Sequence, residues 1–177
     1  IVATEVDFRG DHFRLADKFD IATKCAPRDV EENLRQIREA RRQADFVLVS
    51  LHNQDTLGRS WLHAERLTEI EHQPDFVAEF AHSCIDAGAD LFAAHGPHMF
   101  MGVEIYQGKP IFYSLGNFVM QNETLRHVPA HHYERFGLDP YATPADFFDT
   151  RTEGGKGHPA TREFWESAVA ICRFEDR

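Results

Sequence analysis

From residue 28 the apolar positions settle into a readable rhythm. Val30, Leu34 and Ile37, followed by Ala44, recur at three- and four-residue spacing, with Glu31 and Glu32 early and Arg38, Arg41 and Arg42 late. That pattern predicts an amphipathic helix over residues 28–43. A short β-branched run, FVLVSL at 46–51, follows and ends at His52. Being apolar on both faces, it reads as a buried parallel strand. The layout then repeats. Pro74 and Asp75 open a second helix whose Phe76, Phe80, Ala81 and Cys84 share one side, and Gly88 is a natural stop. A strand at 91–94 comes next and ends at His95. Ala44-Asp45 precedes the first strand and Ala89-Asp90 the second.

Helix–strand alternation of this kind predicts an α/β sheet, in which functional groups gather at the carboxyl ends of the strands. Residues 103–106, 107–110 and 111–115 read as a hairpin turning at Gly108. The weak alternation of FRLADKFDIATKC suggests another hairpin near the start, within 13–25. Residues 53–73 read as a long excursion with a short helix around 62–71. Residues 122–164 form a loop-rich tail with short helices near 130–136 and 144–149, and 165–174 (WESAVAICRF) read as a final strand.

Composition removes several function classes. The 177 residues carry 19 basic and 29 acidic side chains, a net charge of −10, which argues against a broad nucleic-acid surface. No apolar run approaches the ~18 residues of a membrane helix. Cys25, Cys84 and Cys172 lack metal or redox spacing and read as small hydrophobes. Neither a nucleophile elbow nor a glycine-rich phosphate loop is present. The opening IVATEVDF has no signal-peptide character, and both ends read as cut from a longer protein, so the 177 residues are expected to be one domain's carboxy-terminal portion with its core at 28–121.

The 11 histidines are the informative count. His52 ends one strand; His95 and His98 follow another in AHGPHM. A lone strand-end histidine is more often a hydrogen-bonded structural residue. Three in parallel layout place imidazole nitrogens in one small volume, and imidazole suits borderline transition metals. Gly96 and Pro97 favour a tight turn that aims both rings one way. His82, inside a helix, reads as structural, and His131-His132 as solvent-exposed. Asn117, just past a strand, either caps a turn or directs its amide into the cleft.

The segments DFVLVSLH, DFVAEFAHSCIDAGADLFAAHGPHM and GVEIYQGKPIFYSLGNFVMQ closely resemble the bacterial CapA family of capsule and poly-γ-glutamate synthesis, itself similar to calcineurin-like metallophosphatases. The resemblance spans residues 28–121. It implies a four-layer αββα sandwich with two divalent metals (Mn, Fe or Zn) at the strand ends and hydrolysis of an anionic small-molecule or polymer substrate, a phosphoester in kind. It places His52, His95 and His98 as metal ligands and Asn117, in the LGNF motif, as a substrate-binding candidate. Capsule-synthesis proteins are the implied partners, in a bacterial cytoplasm or envelope. The superfamily's usual Gly-His-x-His is here Ala94-His95-Gly96-Pro97-His98, one residue longer. Residues 1–50 contain no counterpart of its Asp and Asn-His ligands, which are expected upstream. A non-enzymatic scaffold of polymer synthesis and a metal-dependent amidase on a γ-glutamyl polymer are the alternatives.

Overall fold

A computed structural model of the protein describes residues 4–17, 23–54, 74–121, 124–152, 160 and 162–175. The periodic helix forms as α1, Pro27–Gln43, with Pro27 preorganising its first turn and Arg41 and Arg42 facing the carboxyl-end dipole. Strand β3, Leu48–His52, follows. Helix α2, Asp75–Asp86, is closed by Gly88 at φ +116°, where the Ala89 amide reaches back to the Cys84 carbonyl. Strand β4, Leu91–His95, comes next, then the antiparallel pair β5, Val103–Tyr106, and β6, Lys109–Phe112. Gln107 and Gly108, both at positive φ, make the turn between them.

These four strands form one mixed sheet in the order β3-β4-β6-β5, with β3, β4 and β6 parallel. The α/β class expected from the alternation is therefore observed. Among the described residues the four-stranded sheet and the α1–α2 pair against one of its faces make two layers, and a separate two-stranded hairpin lies near the start of the chain. Ile37 of α1 and Ala81, Cys84 and Ile85 of α2 pack with Phe92, Ala94 and Ile111 of the sheet. Val49 and Leu51 of β3 join them.

A buried carboxylate ties the repeated segments together. Asp90 Oδ2 accepts from Arg41 Nη1 at 2.7 Å and from the Val47 amide at 2.9 Å, while the Asp90 amide donates to the Val47 carbonyl. Arg41 also donates to the Asp45 carbonyl, and its stem lies over Gly88, where a Cβ would meet Arg41 Cγ at 3.2 Å. The Asp that opens each strand unit is thus part of the joint between α1, β3 and β4.

Several expectations are corrected. The first hairpin forms one segment earlier, β1 Glu5–Phe8 and β2 Asp11–Arg14, because Arg9-Gly10 supplies the two positive φ values that a two-residue turn needs. Strand β3 is not buried on both faces: it borders the described sheet, and Leu48 is 53% exposed. Its apolar run resembles that of β4, but only β4 has strand neighbours on both sides. The final strand over 165–174 does not form. Arg162–Trp165 is a helical turn, α5, and residues 166–175 are exposed. The Ala168 amide meets the Leu115 carbonyl at 3.1 Å, and Phe174 packs edge-on to Phe46. Alternation alone does not make a strand where no ladder accompanies it.

The expected short helices of the tail are present as α3, Ala130–Phe136, and α4, Pro144–Arg151, the latter started by a Thr143–Asp146 capping box. The helix expected around 62–71 lies outside the described residues. No helix among the described residues is long and apolar enough to cross a membrane.

Candidate metal centre

Parallel pairing sets β3 and β4 in register so that His52 lies directly beside His95. Because side chains alternate across a strand, Ser50, His52, Ala93 and His95 share one face, opposite the face that α1 and α2 cover. The rings meet edge to face with centroids 5.0 Å apart, and their Nδ1 atoms are 3.1 Å from one another. His95 Nε2 lies 3.1 Å from Ser50 Oγ. Both histidines are exposed.

Gly96 makes this approach possible. The Asn53 amide donates to the His95 carbonyl at 2.7 Å, drawing the two strand ends together just past the rings. Gly96 stands at φ +128°, and a Cβ there would lie 2.4 Å from the Asn53 carbonyl oxygen. Any other residue would push the His95 turn away from the His52 strand end.

His98 lies three residues on, half-buried, at φ +59°. Its Nδ1 is 2.7 Å from Asn117 Oδ1, and its ring stacks on Phe164 with centroids 5.9 Å apart. Asn117 Nδ2 donates to the carbonyls of His98, at 3.1 Å, and Phe164, at 3.0 Å. Asn117 thus uses both ends of its amide on protein atoms.

The donor set fits a borderline metal in part. Two nitrogens bound to one tetrahedral zinc at ordinary bond lengths stand about 3.3 Å apart, close to the 3.1 Å of the His52–His95 pair. Among the described residues, however, no group of three or more His, Cys, Asp or Glu converges to hold an ion. The described residues offer the His52–His95 pair alone at this spacing, and His98 is turned to Asn117 and Phe164.

Other candidates are accounted for structurally. His82 Nε2 pairs with Glu104 Oε1 at 2.8 Å and stacks on Tyr106. Cys84 is buried, and burial pushes its thiol up to about 12, which suits a packing role rather than a nucleophile. His131 is exposed as expected, but His132 is half-buried against Phe136 and Phe147. Ser50 and Phe164 were not singled out from sequence. Ser50 was findable, since it stands two residues before His52 on the same strand face. Phe164 has no such signal, being 47 positions from Asn117.

Comparison with known proteins places these features in a family. The bacterial capsule synthesis protein PGA_cap family matches residues 7–122. A Sinorhizobium fredii protein, uncharacterized protein y4sH, is 34% identical over 176 residues, covering 94% of this chain and 36% of its own length. The PGA biosynthesis protein CapA of Bacillus subtilis is 34% identical over 164 residues, 85% of this chain and 39% of its own. The capsule biosynthesis protein CapA of Bacillus anthracis is 35% identical over 108 residues, 56% of this chain and 23% of its own. The chain spans well under half the length of these relatives. With its strand-end histidines and the LGNF segment inside the matched region, the chain belongs to the bacterial capsule synthesis protein PGA_cap family.

Proposed function

We propose that this chain contributes one side of a metallophosphatase-type centre to a protein of capsule or poly-γ-glutamate synthesis, with phosphoester hydrolysis as its reaction. His52 and His95 are the ligands from the strand ends, and His98 is the ligand from the following loop. The remaining ligands come from chain that precedes this segment in the whole protein. The observation that carries the reading is the in-register His52–His95 pair, its Nδ1 atoms 3.1 Å apart on the face free of α1 and α2. A centre of two divalent cations supplies polarisation of phosphoryl oxygens and activation of water. The chain's own residues set the conditions for that chemistry. Ser50 steadies the His95 ring, Gly96 lets the strand ends meet, and the exposure of both histidines leaves room for a substrate. The charge of −10 repels an anionic substrate unless bound cations reverse the local field.

The absence of a three-residue ligand group among the described residues favours one second reading, a scaffold that holds polymer-synthesis partners without catalysis. Metal analysis of the full-length protein tests the first point. The wild type should retain divalent metal and a His52→Ala/His95→Ala variant should lose it; equal metal content overturns the assignment. Assays with a phosphodiester and a γ-glutamyl peptide then separate the chemistries. Phosphodiester cleavage that disappears in the variant supports the hydrolase, peptide cleavage alone makes it an amidase, and retained metal with neither activity makes it a scaffold.

A further inference from the structure

We infer that Asn117 is the positioning residue of His98, fixing which ring nitrogen carries the proton; its use at the site rests on the reading of His98 as a ligand. The argument begins with the amide. Asn117 Nδ2 donates to two backbone carbonyls, those of His98 and Phe164. Turning the amide over would set its oxygen against both carbonyl oxygens, so its orientation is determined. Oδ1 must then be the atom 2.7 Å from His98 Nδ1, and an amide oxygen only accepts. His98 Nδ1 therefore carries the proton, and in the neutral ring Nε2 carries the lone pair. A histidine that binds metal through one nitrogen commonly donates from the other to an oxygen of this sort.

The surroundings make Asn117 a clamp on three segments. Gly116, at φ +78°, brings the chain so near residues 166–167 that a Cβ would lie 2.6 Å from the Glu166 carbonyl oxygen. That approach puts Asn117 beside the end of α5, whose fully buried Phe164 both accepts its N–H and stacks on the His98 ring. The left-handed backbone of His98, uncommon for a residue with a Cβ, is held by the second Asn117 bond, to the His98 carbonyl. One side chain thus sets backbone, ring plane and tautomer together.

Two variants divide its roles. Asn117→Asp keeps an acceptor for Nδ1–H but loses the donors; Asn117→Leu loses both. The readout is the two-bond nitrogen–proton spectrum of histidine-labelled, metal-free full-length protein in mildly alkaline buffer, with His98 identified by its absence in His98→Gln. Wild type and Asn117→Asp should show His98 protonated at Nδ1, and Asn117→Leu should move the proton to Nε2. A wild-type proton on Nε2 overturns the inference, as does an Asn117→Leu spectrum identical to wild type. If Asn117→Leu fails to fold, the wild-type and Asn117→Asp spectra still decide. Zn²⁺ titration separates the two proposals. About a 10–100-fold loss of affinity in Asn117→Leu is expected, and unchanged affinity counts against positioning. Absence of Zn²⁺ binding in every variant, with the tautomer as inferred, removes the metal reading and leaves the role of Asn117 standing.

Discussion

The two faces of the β3-β4-β6-β5 sheet are made by alternate residues of the same strands, yet they do different work. On the face beneath α1 and α2, Val49, Leu51, Phe92, Ala94 and Ile111 meet Ile37, Ala81, Cys84 and Ile85 in one apolar cluster. On the other, Ser50, His52 and His95 stand among Leu48, Val103 and Ile105, the last 67% exposed. The first face carries packing and the second carries the proposed metal ligands. The difference teaches that a one-residue step along β3 or β4 separates a packing residue from a candidate-site residue, so substitutions can move one property without the other.

The strongest way to break the comparison is to attack the packed face. Phe92 is fully buried and stacks edge-on to Phe80. Phe92→Ala should cost about 3–5 kcal/mol, the transfer term plus the cavity it leaves. Urea denaturation would show it as a lower midpoint with little change in slope. A loss under 1 kcal/mol would mean that the helix-covered face is not the stability face.

Asp90 comes next, because it joins the packed face to its strands. Asp90→Ala removes the acceptor of both Arg41 and the Val47 amide, takes a carboxylate from 3.9 Å of Lys109 Nζ, and leaves the half-buried guanidinium its bond to the Asp45 carbonyl but no counter-charge there. A loss of about 3 kcal/mol is expected. An Arg41→Met/Asp90→Leu double variant should recover part of it, since a buried pair replaced by apolar groups costs less than a pair broken on one side. No recovery would show that the Val47 bond or the Lys109 pair, not the Arg41 pair, is what Asp90 contributes.

Much of this division was legible in the sequence, and what was not has a physical pattern. Local periodicity was sufficient for α1, α2 and β4, and the strand-then-His repeat brought out His52 and His95. Gly96 and Pro97 read as a tight turn aiming the His95 and His98 rings one way, whereas the structure pairs His95 with His52 and Ser50 and turns His98 to Asn117 and Phe164. What escaped were facts of pairing at long range. The exposed side of β3 depends on what packs over the face opposite α1 and α2, which its apolar run does not encode. The alternation of residues 165–174 looked like a strand but lacks a ladder. The service of Asn117 and Phe164 to His98 joins positions 98, 117 and 164, and no spacing rule spans those intervals.

On the chemical face, Gly96→Ala sharpens the contrast. Its Cβ meets the Asn53 carbonyl oxygen at 2.4 Å, and φ +128° is strained for any side chain. About 1–3 kcal/mol of destabilisation is expected, with the His52–His95 nitrogens pushed apart. Zn²⁺ affinity should fall by more than that stability loss alone explains, measured by calorimetry under conditions where the variant is fully folded. Unchanged affinity would mean that the strand ends need not touch for the pair to act.

The smallest effect returns to the helix side, at the rim where polarity intrudes. Glu104 accepts from Tyr113 Oη at 2.6 Å and pairs with His82 at 2.8 Å. The Tyr113 bond first, then the His82 bond and charge, hold its carboxyl below the ordinary 4.5 against the opposing effect of desolvation. Burial first and then the Glu104 carboxylate hold the Tyr113 phenol above its usual range. A carboxyl depressed in the folded state stabilises the fold above its unfolded-state value, and that contribution is lost as pH falls through the folded-state value. The stability gap between wild type and Glu104→Gln should therefore be present at about pH 5 and shrink by about pH 3, a window below the ordinary imidazole range. Because the Glu104 and His82 side chains are each 35% exposed, solvent screening keeps the gap under about 1 kcal/mol. Urea midpoints of the two proteins across that window measure it, and a gap that does not change with pH would show that ionisation of Glu104 contributes nothing. Zn²⁺ affinity should be the same in both proteins, since Glu104 points to the helices and the paired histidines to the opposite face.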